Sequence, residues 1–246
     1  MAYEHFARRD YKAARPFADK ALKLNPRHPL AGYVKARLLI TIGDDDAALE
    51  TLKPCLDEKQ PNERVIDLLG ELQMKAGNLA EAERLYEMAR KDDPFHSKWI
   101  SSLARVHLRQ KDETKLLGDL ARLADNDADD IDVRRTLAER HLKRGDAADA
   151  EKWAMECLFI DVYDPRYHVL LADAHELRRN HAAAVEEYEV ALTLKPKGAD
   201  QILVKLAKAK AALGDKAAAI KLLDDILKND PDHPEAKAAR AELGGA

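Results

Sequence analysis

The chain has 246 residues, 46% of them hydrophobic and 35% charged, and its formal net charge is only −4. The 41 basic and 45 acidic residues nearly cancel, which leaves no strong field that would select nucleic acid or an anionic membrane. No apolar run approaches the ~20 residues that cross a bilayer, and the N-terminus lacks a signal-peptide h-region, so the chain reads as soluble.

Alanine and leucine dominate beside Lys, Arg, Glu and Asp, and only 5% of residues are aromatic, a mixture that suits an all-α chain. Turn signals then set a period. Arg9-Asp10, Gly43-Asp44, Gly77-Asn78, Lys111-Asp112, Gly145-Asp146 and Arg179-Asn180 follow one another every 34 residues. Gly214-Asp215 comes after 35, so one residue is inserted near Lys197-Gly198-Ala199. In each pair, Gly or a long polar residue closes a first helix and Asp or Asn caps a second. Small residues keep the same beat: Ala14, Ala48, Ala82, Ala150, Ala184 and Ala219 on second helices, and Ala2, Ala36, Gly70, Ala104, Ala138, Ala172 and Ala207 on first helices. Small side chains there let helix axes approach closely. Pro26, Pro94, Pro196 and Pro231 close four repeats, and Pro61 falls one place later in another.

The first unit, 1–28, begins midway through its first helix, which favours excision from a larger protein. The second, 29–62, carries Pro54 inside its second helix, where a kink or early end is expected. The third, 63–96, is the clearest. Its first helix has Ile66, Leu69, Gly70 and Gln73, and its second has Leu79, Ala82, Tyr86, Ala89 and then Pro94.

That unit resembles the tetratricopeptide repeat family. The residues that carry the likeness are Leu69-Gly70, Ala82, Tyr86, Ala89 and Pro94, and again Leu171-Ala172, Ala184, Tyr188, Ala191 and Pro196 in the unit 165–198. The resemblance covers the chain in about seven units: 1–28, 29–62, 63–96, 97–130, 131–164, 165–198 and 199–233. A polar-sided segment, 234–243, reads as a capping helix, and Gly244-Gly245-Ala246 reads as a flexible end. The likeness implies a single array: an α-solenoid of antiparallel helix pairs forming a right-handed superhelix. Two units depart from the pattern. Lys35 stands where leucine is usual, so the second should pack loosely. The fourth has Leu116, Leu120 and Leu123 where small or aromatic residues are usual.

The family's first helices line a concave face on which ligands usually bind. One outward row is Tyr3, Arg37, Glu71, Arg105, Glu139, Asp173, Lys208. Its sign alternates through four units, and first helices should lie about 10 Å apart, so a ladder of ion pairs along the row is expected, each worth ~0–1 kcal/mol. The competing reading is a mixed-charge groove for a charged peptide. Neighbouring rows supply Tyr33, Asp67, Ser101 and Arg135, then Arg64, Lys98, Asp132 and Arg166, with Lys75, Arg109 and Lys143 near the inner end. The middle leans basic, whereas Val169, Leu177 and Val204 make the C-terminal part apolar. A partner with acidic groups and an apolar anchor follows. Asn is absent where one subgroup of the family grips C-terminal carboxylates, which argues against a clamp of that kind.

His107, His141 and His175 recur every 34 residues, in phase with His5, and read as packing residues. Metal ligands lie ~2.0–2.1 Å from one zinc, far closer than repeats stand to one another. His28, His96 and His233 read as turn residues after closing prolines. Cys55 and Cys157 have no metal spacing and read as core thiols. His175, Glu176 and His181 lack the spacing of a zinc protease helix, and Asp125, Asp127 and Asp129 form an acidic turn rather than a calcium loop. No phosphate loop or nucleophile motif is present. The leading expectation is a non-catalytic scaffold for a protein or peptide, with no cofactor, metal or nucleic acid. Two alternatives stand beside it. One is an accessory domain of a larger enzyme, such as a bacterial peptidase or transferase. The other is a self-assembling module, a homo-oligomer joined through the exposed half-helix.

Overall fold

The computed structural model describes residues 1–244, and the expected flexible end at Gly245 and Ala246 lies outside them. Among the described residues there are fifteen α-helices and no strand. Contacts divide the chain into two compact units, Met1–Asn126 and the segment from Asp127 onward, parted inside the turn that ends the fourth repeat. No described helix is long and apolar enough to cross a membrane.

The first unit holds α1 (Ala2–Ala7), α2 (Tyr11–Leu24), α3 (Pro29–Thr41), α4 (Asp45–Leu52), α5 (Glu63–Ala76), α6 (Leu79–Asp92), α7 (Ser97–Gln110) and α8 (Glu113–Asn126). Odd-numbered helices are the first members of the repeats and even-numbered ones the second. The turn chemistry is as read from the sequence except at Asn78, which makes no side-chain cap to α6 and donates to the Gln73 side chain instead. Gly43 and Gly77 end first helices at φ 81, a left-handed conformation that glycine adopts without steric cost, while Arg9 and Lys111 bear it at φ 61 and 60. The carboxylates of Asp10 and Asp44 then accept from the amides of Ala13 and Ala47. Pro54 ends α4 early: the helix stops at Leu52 and a 3-10 turn, Lys53–Cys55, follows. Pro16, by contrast, lies inside α2 without ending it.

The core of this unit runs along the seam between first and second helices. Ala36, Ala48, Leu52, Val65, Ile66, Ala82, Tyr86, Trp99 and Leu103 are buried together, and the Tyr86 and Trp99 rings stack at 6.3 Å. The small position matters most at Gly70, where an added Cβ would come within 2.4 Å of the Tyr86 ring. Lys35 reaches back to Asp19 at 2.8 Å with its side chain 38% exposed.

The second unit holds α9 (Ile131–Arg144), α10 (Ala147–Ile160), α11 (Pro165–Leu177), α12 (His181–Thr193), α13 (Ala199–Ala212), α14 (Lys216–Asn229) and α15 (Pro234–Gly244). Ala138, Ala150, Ala172, Ala184, Ala207 and Ala219 are all fully buried, as the close-packing slots require. The inserted residue falls in the turn between α12 and α13, where Lys195 and Gly198 both take positive φ. The terminal helix α15 covers the array end with Ala236 and Ala239, packed beside Leu223 and Ile226. Both cysteines are buried and free. Burial pushes the Cys157 thiol up to about 12, which makes it a poor nucleophile.

Candidate functional site

In the first unit, most of the expected binding residues are held by neighbours. Tyr33 packs against the rings of Tyr3 and Phe6 at 6.4 and 6.2 Å. The Arg64 guanidinium lies over the Tyr3 ring at 4.9 Å. Lys98 donates to Asp67 at 2.8 Å, Lys75 pairs with Asp45, and Arg109 donates to the Met74 carbonyl. Arg105 donates only to Ser102 of its own helix, at 3.2 Å. Among the described residues, Arg37 and Glu71 have no ion-pair partner.

The expected ladder is therefore corrected in register. Arg37 with Glu71, and Glu71 with Arg105, do not pair. Contacts between first helices run instead to the residue one turn before the equivalent position. Asp67 meets Lys98 rather than Ser101, and in the second unit Asp173 meets Lys205, at 2.6 Å, rather than Lys208. At these two pairs a residue one turn earlier than the equivalent one meets the carboxylate.

The second unit brings three of the expected residues to one cavity. Residues of α9, α11 and α13 enclose a cavity of about 250 Å³. Its polar lining includes Arg135, Glu139, Arg166, Lys197 and Gln201, and its apolar lining includes Val169, Leu170 and Ile202. Arg135 donates to Asp132 at 2.9 Å and to Glu139 at 3.3 Å, both on its own helix. Its Nε is shielded from solvent and has no hydrogen-bond partner. Arg166 is held by Asp164, with Nε 3.0 Å from each carboxylate oxygen. That carboxylate lies below its usual range because of Arg166 and the Arg166 amide. Lys143 is exposed at the end of α9 and has no ion-pair partner among the described residues.

Two expectations for this unit change. Asp173 is a structural group: it accepts from the Tyr188 hydroxyl at 2.6 Å and from Lys205. Burial first, and the Asp173 charge second, push the Tyr188 hydroxyl well up, so it stays a donor. Val204 is 4% exposed and belongs to the core beside α14 and α15, and Ile202 is the residue of α13 that lines the cavity. Val169 lines the cavity, and Leu177 is exposed at the end of α11.

The histidines pack, and several have carboxylate partners. His5 stacks on Phe17 at 5.2 Å, and His141 lies 3.3 Å from Asp146. His107 is 2% exposed, with Nδ1 2.7 Å from Asp119 and Nε2 3.4 Å from Glu83, an ion-pair distance without hydrogen-bond geometry. Lys115 and Gln110 hold the Glu83 carboxylate at 2.6 and 2.8 Å and draw its pKa down to about 2. Burial pushes Asp119 the other way, against the pull of His107 and two arginines. This network was not read from the sequence. The available signal was an acid at 119 in a slot that holds Leu85 one repeat earlier. His28, His96 and His233 do more than turn the chain: each Nδ1 accepts a backbone amide at the start of the next helix, at 3.3 Å. Asp125, Asp127 and Asp129 are exposed, and no described group of three His, Cys, Asp or Glu is placed to hold a metal ion.

Two family models, both described as tetratricopeptide repeat, match the sequence, one over residues 5–72 and 177–243 and the other over 68–131 and 135–199. No curated protein matches it. Among solved structures, one similar chain comes from Naa15/Naa10 bound to HypK-THB, with a TM-score of 0.80 at 19% identity over 98% of this chain. This chain spans only 38% of that one. The C-terminal part of a TPR repeat-containing protein from Cytophaga hutchinsonii gives 0.63 at 16% identity, covering 97% of both chains. YrrB, described as a TPR protein with an unusual peptide-binding site, gives 0.53 at 16% identity over 74% of this chain and 93% of its own. At these identities the likenesses show the fold alone.

Proposed function

The chain belongs to the tetratricopeptide repeat family, and on that premise we propose that it is a non-catalytic scaffold whose second unit binds an acidic peptide. Repeats of this family generally mediate protein–protein interaction. The observation that carries the finer reading is the cavity rimmed by Arg135, Glu139 and Arg166 over Val169, Leu170 and Ile202.

Its volume of about 250 Å³ lies below the ~300–1,000 Å³ of sites that enclose drug-sized ligands, so it suits one or two side chains of a peptide. Arg135 brings a shielded, unsatisfied Nε, and a buried donor without an acceptor costs ~1–3 kcal/mol. The side chain as a whole is 30% exposed, so an incoming carboxylate that draws it outward relieves that cost. The intramolecular competitors are weak, since Asp132 and Glu139 are 80% and 42% exposed and such pairs are worth ~0–1 kcal/mol. An aliphatic neighbour on the peptide would fill the apolar lining. The first unit supports the choice by contrast. Its Asp67, Lys75, Lys98 and Arg109 are spent on contacts between repeats, and Arg37 and Glu71 carry opposite charges. The peptide-binding site ascribed to YrrB, a protein of the same fold, favours the same use of the array.

Selection of a random peptide library on the full chain tests the reading. Enriched peptides should place Asp or Glu beside Leu, Ile or Val, and Arg135→Glu should abolish the enrichment. No enrichment, or enrichment indifferent to Arg135→Glu and Arg166→Glu, would contradict it.

A further inference from the structure

A second groove lies in the first unit, on the far side of α3. At about 100° per residue, Lys35, Leu39 and Ile42 project away from the Tyr33 and Arg37 side of that helix. The groove runs between α2 and α3 with a volume of about 340 Å³. Leu38 and Leu39 are half-buried in its floor, and Ile42, 71% exposed, stands at its edge. Lys12, Arg15 and Lys35 form the rim, and no carboxylate lines it. Lys35 has Asp19 as a partner, whereas Lys12 and Arg15 are exposed and have none among the described residues.

The slot recurs as Arg15, Leu49, Glu83, Leu117, Glu151, Val185 and Ile220, so a charge stands there in three units, and the other two charged slots show what such a charge does. Sixty-eight residues on, Arg15, Leu39 and Ile42 become Glu83, His107 and Gln110. There the Glu83 carboxylate ties α6 to α7 and α8 through Gln110 and Lys115. A further sixty-eight on, Glu151 ties α10 to α11 through Arg178. Both slots therefore hold a carboxylate that bridges a second helix to the following first helix. Between α2 and α3 the acid is replaced by Arg15, its partners by Leu39 and Ile42, and the lysine by Ala47. The charge of the slot is inverted, and no carboxylate among the described residues pairs with Arg15.

We infer that this groove is a second docking surface, for an acidic protein segment with an apolar side chain next to its carboxylates. The segment supplies from outside the carboxylate that Glu83 and Glu151 supply from within, and its apolar side chain covers Leu38, Leu39 and Ile42. The recessed floor favours a peptide over a bilayer, because membrane insertion needs an apolar face that can enter the headgroup boundary. The surface is separate from the cavity at Arg135.

The test is titration of the full ¹⁵N-labelled chain with a short synthetic peptide of Glu and Leu at helical spacing. A leucine-free Glu/Ala peptide and anionic phospholipid vesicles serve as comparison arms. Amide shifts should move along α2 and the end of α3. The affinity read from those amides should fall about tenfold, equivalent to ~1.4 kcal/mol, in Lys12→Glu/Arg15→Glu, while shifts around Arg135 report the separate cavity. Ile42→Ser, on an exposed side chain, should weaken binding without altering the thermal transition, which keeps the test valid should the double variant misfold. Shifts confined to other helices would overturn the assignment, as would an affinity indifferent to these variants. Equal binding of the leucine-free peptide would reduce the groove to a charge patch, and vesicle binding lost in the same variants would make it a membrane contact.

Discussion

One slot on the first helices is filled in opposite ways by two repeats of each unit. In the first unit it holds Ile66 and Ile100, 1% and 0% exposed among apolar neighbours. In the second it holds Arg134 and His168, 7% and 6% exposed. Arg134 donates to Glu156 at 3.1 Å and to the carbonyls of Asp127 and Asp130 at 2.8 and 3.1 Å. His168 lies 2.7 Å from Glu187 and donates through Nε2 to the Val162 carbonyl at 2.9 Å. The helix pair therefore requires that the slot be filled and every polar group in it satisfied, not that it be apolar. Buried charge is tolerated where a carboxylate and free carbonyls lie within reach.

The largest effect should come from moving the charge without its partners. Ile100→Arg should cost about 3–5 kcal/mol and unfold the first unit at low denaturant, because the residue equivalent to Glu156 is Arg122. His168→Ile should cost less, about 1–3 kcal/mol, since Glu187 is 25% exposed and can regain water. Urea unfolding followed by circular dichroism ranks the two. Equal costs would break the comparison.

The small-residue slot gives a second contrast. Ala172 packs beside Tyr188 in the second unit, whereas Gly70 packs against Tyr86 in the first, with no room for a Cβ. Gly70→Ala should destabilise by about 1–3 kcal/mol despite the ~1 kcal/mol by which alanine favours a helix. Adding Tyr86→Leu, the pairing that Ala104 and Leu120 use one repeat on, should recover part of the loss. A stabilising Gly70→Ala in the same unfolding assay would refute the packing account.

Acid should act on the first unit through Glu83. Its pKa is lowered from 4.5 to about 2, chiefly by Lys115 and Gln110. A depressed carboxylate contributes stability that is present above 4.5 and is lost as pH falls toward 2. Glu83→Gln should therefore flatten the loss of melting temperature across that window, and an unchanged acid limb would show that the network adds nothing.

The smallest effect concerns caps. His96 caps α7 with a neutral Nδ1, whereas Asp130 and Asp164 cap α9 and α11. His96→Asp should stabilise by about 0.5–1 kcal/mol, since an anion also favours a helix N-terminus. A lowered melting temperature would count against that transfer.

These contrasts show how much was legible in the sequence. Turn pairs such as Gly77-Asn78, the alanine beats, the early stop at Pro54 and the terminal helix follow from local rules of helix closure and packing, which act within a few residues. The one-turn offset that puts Lys98 against Asp67 and Lys205 against Asp173 depends on helix tilt, which no spacing records. Arg134 and His168 read as ordinary polar helix residues until Glu156 and Glu187 lie beside them. Val204 lies in the core that α14 and α15 complete, a contact the spacing of the row does not record. Of the binding residues, Arg135, Glu139 and Arg166 come together around one cavity, while the others are dispersed among contacts between repeats.

The central claim, that the second unit grips an acidic residue at Arg135, is tested most directly by a charge-swap cycle read by calorimetry. A peptide selected on the chain is measured against the native protein and Arg135→Glu, with its acid intact and changed to Lys. The account predicts that either single change weakens binding about tenfold and that the two together restore most of it. Additive losses, or no loss from Arg135→Glu, would contradict it.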